Sequence, residues 1–220
     1  ARVAAMQIPL PAIAAITLPS LLAACASVPD APASPQEAYW NALSSHCGKA
    51  YAGSLATQDA RDADWAGKPM IAHWADCSDE RIAIAFHVAD EDAHGGWNRS
   101  RTWILTRTGS GADTRFTLKH DHRHADGEAD AVTFYGGATD EAGSAGAQDF
   151  PVDAESIALF TREGLSASLT NVWRIEVTPR GSADARFAYQ LTRRNDPTRL
   201  FRVEIDASAP VETPPAAWGW

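Results

Sequence analysis

The chain has 220 residues, 45% of them hydrophobic, enough for one globular domain with a real core. Its formal net charge is −9 and it carries no basic stripe, which excludes a general binder of nucleic acid or other polyanions. Eight tryptophans and a charged fraction of only 21% exclude a disordered chain.

The first segment, Met6 to Ala24, is an apolar run ending in small residues, the pattern of a secretory signal. Prolines break it, and it is too short for a transmembrane helix, which needs roughly 20 apolar residues. It ends in Leu22-Ala23-Ala24-Cys25, which resembles the lipobox of bacterial lipoproteins. That resemblance implies that residues 1–24 are removed as a signal peptide and that Cys25 carries the lipid. Ala26 follows Cys25 where Asp would alter sorting, so the resemblance also implies anchoring to the outer membrane, facing the periplasm. The other reading is an ordinary signal peptide and a periplasmic protein. Residues 25–35, with Pro29 and Pro32, are expected to be a flexible tether.

Ser34-Pro35-Gln36-Glu37 reads as a helix start. Ser34 is the N-cap, Pro35 takes the first helical position and Glu37 completes a capping box. Trp40, Leu43 and Cys47 repeat at helical spacing and Gly48 can stop the helix. With Cys25 set aside, Cys47 and Cys77 are an even pair. In an oxidising compartment they are expected to form a disulfide, contributing roughly 3–4 kcal/mol for a loop of this length.

A period of two then takes over, through Tyr51, Gly53 and Leu55, before a turn-rich gap from Asp59 to Gly67. Segments 68–76 and 81–88 read as a hairpin. Pairing Cys77 with Glu80 puts Ile71, His73, Cys77, Ile82, Ile84 and Phe86 on one face, and Met70, Trp74 and His87 on the other. An acidic, glycine-rich loop carries Trp97, expected to fold back over a barrel end. Segments 101–108 and 113–123 form the next hairpin. With Thr108 opposite Asp113, Trp103 faces Leu118, Arg101 faces His120 and Arg99 lies near His122. A short strand at 131–135 and a loose region follow. Asp153 then caps a second helix that ends at Gly164. Strands are expected at 168–178, 185–193 and 199–206, and the stretch from Pro210 to Trp220 is expected to be loosely packed.

The fold this predicts is mainly β. It is an antiparallel meander of eight or nine strands closed into a barrel or curled sheet, with one N-terminal helix and one near residues 153–164. Residues 36–208 make a single domain and 209–220 a proline-rich tail. The layout resembles calycin-type barrels, the lipocalins and fatty-acid-binding-like proteins. Three segments, Cys47-Gly48-Lys49-Ala50-Tyr51-Ala52-Gly53, Lys119-His120-Asp121-His122-Arg123-His124 and Thr170-Asn171-Val172-Trp173, resemble those of small secreted proteins and lipoproteins of Gram-negative bacteria. No function carries over from that group.

One stretch points to a site. Phe116, Leu118, His120, His122 and His124 alternate along the fifth expected strand and would share one face. Three readings of that face stand side by side. The strand leaves the core after Leu118 and its histidines are solvated. Alternatively, Arg101, His120, His122 and His73 form a polar anchor at a barrel mouth for a small apolar or anionic ligand. Or His120, His122 and His124 hold zinc or copper, with Asp126 or His73 as a further ligand, in a metal-binding protein or a metal-dependent hydrolase. Arg101 beside His120 opposes a second cation. No Gly-x-Ser-x-Gly elbow, His-Glu-x-x-His, phosphate loop or dinucleotide fingerprint occurs. The sequence therefore leans towards a non-enzymatic envelope protein, either a binding module or a structural interaction module. Its partners would be the membrane, through Cys25, and a small molecule, not nucleic acid.

Overall fold

The structure is a computed structural model that describes residues 2–4 and 33–220. Cys25, its lipobox and most of the expected signal and tether lie outside the described residues.

The first described helix starts at the capping box that the sequence shows. Ser34 caps helix α1 (Pro35–Ser44), its Oγ accepting from the Glu37 N–H at 3.2 Å, while Glu37 Oε2 accepts from the Ser34 N–H at 3.1 Å. Such a cap contributes about 1 kcal/mol. Ten strands follow. They are β1 (Ala50–Leu55), β2 (Met70–Cys77), β3 (Arg81–Ala89), β4 (Trp97–Thr108), β5 (Arg115–His122) and β6 (Tyr135–Ala138), then β7 (Ala147–Pro151), β8 (Asn171–Val177), β9 (Arg186–Arg193) and β10 (Asp196–Asp206). Helix α2 (Ala154–Arg162) sits between β7 and β8, capped by Asp153 Oδ1 on the Ser156 N–H at 2.9 Å. The expected mainly β meander is present, but the short strand expected at 131–135 only begins at Tyr135, as β6, and both β6 and β7 fall largely in the stretch that read as loose.

Every pairing is antiparallel, in the order β6-β5-β4-β3-β2-β1-β10-β9-β8-β7. The two end strands meet: Gly137 bridges Val152, and the Asp153 N–H donates to the Gly136 carbonyl at 3.1 Å. A Cβ on Gly136 would lie 1.8 Å from the Leu118 oxygen, and one on Gly137 2.1 Å from the Pro151 oxygen. These two glycines therefore let the sheet curl into a nearly closed barrel, consistent with a calycin-like architecture.

The barrel has unequal ends. The turn after α1 seals one of them. His46 Nδ1 lies 3.0 Å from Tyr51 Oη and Nε2 2.8 Å from the Thr178 carbonyl, and Trp40 stacks on Phe116 at 5.7 Å. Cys47 and Cys77 form the expected disulfide there, with Cα atoms 6.1 Å apart. Trp74, Tyr51, Phe187 and Trp173 fill the interior and are fully buried. No hollow therefore runs the length of the barrel. The other end stays open.

Three expectations change. The β2–β3 register is not the one that pairs Cys77 with Glu80: Cys77 faces Ile82, Trp74 faces Ile84 and Ile71 faces His87, with a bulge at Ala75. The bulge flips the face of β2 before it, so Met70, Ala72 and Trp74 point inward and His73 points out. Burying the Trp74 ring, one of the largest apolar surfaces in the chain, decides this. Trp97 opens β4, paired with Ala89, instead of folding over a barrel end. The last ten residues are clamped across the outer wall. Val211 bridges Ala50, the Trp218 N–H donates to the Arg99 carbonyl at 3.0 Å, and Trp220 Nε1 donates to Asp121 Oδ2 at 2.9 Å.

Candidate functional site

The open end is built from β4, β5, β9, β10 and the short 3-10 turn Ala60–Trp65. Leu105 and Trp103 point inward along β4, so Arg101 on the same face reaches the mouth. A bulge opposite His87 shifts the phase beyond it. Arg99 consequently turns outward, its Nη1 donating to the Ala216 carbonyl at 2.8 Å. It is not beside His122; Arg101 is, two positions from the expected register. A two-residue slip keeps the faces of β4 and β5, so the inward line Phe116, Leu118, His120 holds.

His120 is buried and both ring nitrogens are engaged. Nδ1 lies 3.0 Å from the Tyr135 carbonyl and Nε2 2.8 Å from Tyr189 Oη. A carbonyl can only accept, so Nδ1 carries the hydrogen and Nε2 accepts from the tyrosine. Burial, with Arg101 nearby adding to it, pulls the His120 pKa down to about 4. The ring is thus neutral at pH 7 and fixed as a wall, stacked on Tyr135 at 4.6 Å. Burial pushes the Tyr189 hydroxyl well above its ordinary pKa.

The histidines do not form a metal site. His120 has no free nitrogen, His122 is half-buried at the strand end, and His124 lies beyond β5, exposed, with Nε2 3.5 Å from Asp130. Asp126 is part of an exposed turn, and His73 stands on the outer wall beside His87. Among the described residues no three His, Cys, Asp or Glu side chains stand close enough to hold a metal ion. Alternation puts imidazoles on one face, but the strand ends before the third one and the barrel supplies no further ligand.

What the mouth does hold is a cavity of about 220 Å³. Its walls are Trp65, Phe86, Trp103, Tyr135, Tyr189 and Phe201, with His120 among them. A second hollow of about 210 Å³ adjoins it, sharing Trp65 and Arg101. Several rings lie nearly parallel: Trp65 with Phe86 at 13°, Phe86 with Trp103 at 22°, Trp103 with Tyr189 at 8°. Arg101 lies over the Trp65 ring at 4.8 Å and donates from Nη1 to Ser100 Oγ at 2.9 Å. Burial lowers its pKa, yet a guanidinium remains charged in any protein setting. Among the described residues no carboxylate pairs with it.

The neighbouring arginine is different. Arg199 donates to both oxygens of Asp62 at 2.6 and 2.7 Å, and both side chains are buried. Asp59, Arg61 and Asp196 extend this network along the rim. Of the residues lining the cavity, Arg101 and His120 are readable from the alternation of β4 and β5. Tyr189 and Phe201 sit on expected inward faces, yet only packing shows that they meet. Trp65 and Asp62 lie in a gap that read as turns, and nothing in the local pattern aims them at the mouth.

No protein-family model, curated protein or solved structure matches the chain.

Proposed function

We propose that this chain is a cell-envelope lipoprotein whose barrel mouth holds a small organic anion without transforming it. The observation that carries the reading is Arg101, a cation at the edge of an aromatic-walled cavity with no acid partner. Proteins rarely keep a partly buried charge unpaired unless something else supplies the opposite charge. The cavity is concave and mostly apolar, with one charged group at its rim, the usual composition of a small-molecule site. The packed interior limits the ligand to the mouth. The absence of nucleophile and hydrolase motifs in the sequence supports binding over turnover.

Calorimetric titration with small carboxylates and their neutral amides at pH 7 tests this. The carboxylates should bind and Arg101→Met should abolish their advantage over the amides; equal affinity for acid and amide would contradict the reading. Anchoring is tested separately. Cys25→Ser should move the full-length protein from the membrane to the soluble fraction, and unchanged fractionation would remove the lipid anchor from the proposal.

A further inference from the structure

The mouth has the shape and charge to choose among anions, which extends the reading just given and rests on it. Three features narrow the ligand. First, of the described residues that line the inner cavity, Arg101 is the one cation without an ion pair, because Arg199 is neutralised by Asp62. One fixed positive charge matches a single carboxylate, and the rim network, three carboxylates against Arg61 and Arg199, keeps one net negative charge that disfavours a dianion. Second, the cavity is small. At the ~30 Å³ that a water occupies in the liquid, about 220 Å³ holds roughly seven water-sized groups, and the adjoining hollow of about 210 Å³ leaves room for a few more beside Arg101. Trp103 and Trp173, both buried, close the space beneath, so a long acyl chain has nowhere to run. Third, the walls are flat. Trp65, Phe86, Trp103 and Tyr189 present nearly parallel planes, and His120 with Tyr135 makes a second stacked pair at 11°. Phe86–Trp103 and Trp103–Tyr189 lie only 4.5 Å apart, so a planar ring meets the edges of these stacks edge to face, whereas a flexible chain must lose rotamer freedom to lie against them.

We propose that the mouth selects a flat aromatic monocarboxylate, with its carboxylate on Arg101 and its ring among Trp65, Phe86, Trp103 and Tyr189. Saturated chains of the same carbon count fit the volume and the charge but not the planes.

The test is calorimetric titration of the intact protein with cinnamate, nonanoate, cinnamamide and phenyl phosphate at pH 7. Cinnamate and nonanoate have equal carbon counts and charge, so their difference isolates planarity. Cinnamate should bind about tenfold tighter than nonanoate, as one or two added stacking contacts imply. Cinnamamide and phenyl phosphate should each bind roughly 10- to 100-fold more weakly than cinnamate, the loss expected when a charge-assisted contact is removed or mismatched. Trp65→Leu should bring cinnamate down to the affinity of nonanoate and leave nonanoate unchanged. Nonanoate binding as tightly as cinnamate would overturn the aromatic selection and leave the anion site standing. Cinnamamide binding as tightly as cinnamate would overturn the anion site itself, and no binding by any of the four at millimolar concentration would overturn both.

Discussion

Two arginines, Arg101 and Arg199, line the same cavity at the barrel mouth, and the fold treats them in opposite ways. Arg199 is 8% exposed and held by both oxygens of Asp62. Its charge is satisfied, and its hydrogen bonds to Asp62 push its pKa up. Arg101 has an aromatic ring beneath it and a serine hydroxyl beside it, and its pKa is pulled down by burial. A paired buried charge is a structural element, because losing either partner strands the other. An unpaired one has only its ring and hydroxyl contacts to set against the cost of desolvating its charge, so it adds little net stability. The comparison separates the part of the mouth that holds the barrel end together from the part free to bind.

The largest expected effect is on the paired side. Asp62→Ala leaves buried Arg199 with only its longer contact to Asp59 at 3.3 Å, and should lower stability by roughly 3 kcal/mol in urea unfolding; a loss under about 1 kcal/mol would make the pair no more structural than a surface contact. Next comes acid. His120 and His87 both titrate near 4 in the folded state, pulled down chiefly by burial. The unfolded chain takes up these protons first, at about 6.5. Stability is therefore full above that value, falls as pH drops from about 6.5 to 4, and levels off below. Each histidine accounts for about 3 kcal/mol across the window. His87 has no hydrogen-bond partner on either nitrogen, so His87→Leu should hold its stability at pH 7 and remove that residue's share of the acid loss. A profile unchanged by the substitution would assign the loss elsewhere. Smaller still is Arg61, exposed on the rim and paired with Asp59 and Asp196. Arg61→Gln should cost little, and that little should largely vanish at high salt; a large, salt-independent loss would make the rim network part of the core.

The fold was legible where signals are local. The capping box at Ser34 and Glu37, the Asp153 cap, the cysteine pair and the alternation of β5, β8, β9 and β10 all lie in short windows of sequence. The errors came from single-residue events. A bulge at Ala75 turned His73 out of the barrel, and another opposite His87 turned Arg99 away from His122. Period-two reasoning assumes an unbroken strand, so one extra residue inverts every face beyond it. The site was half legible. Arg101 and His120 follow from alternation alone. Trp65, Asp62 and Arg199 meet them through contacts between segments far apart in the chain, which no local pattern encodes. The proline-rich last residues read as loose because composition records a lack of regular structure, not the hydrogen bonds to Arg99 and Asp121 that hold them.

The smallest predicted effect on stability is the most informative. Arg101→Met keeps the stem and removes the charge, and its urea unfolding should be compared directly with that of the unaltered protein at pH 7. If Arg101 is kept for a ligand, the substitution should leave stability unchanged within about 0.5 kcal/mol, or raise it, because a desolvated charge is replaced by an apolar group. A loss approaching that of Asp62→Ala would contradict the account, since Arg101 would then be as structural as Arg199.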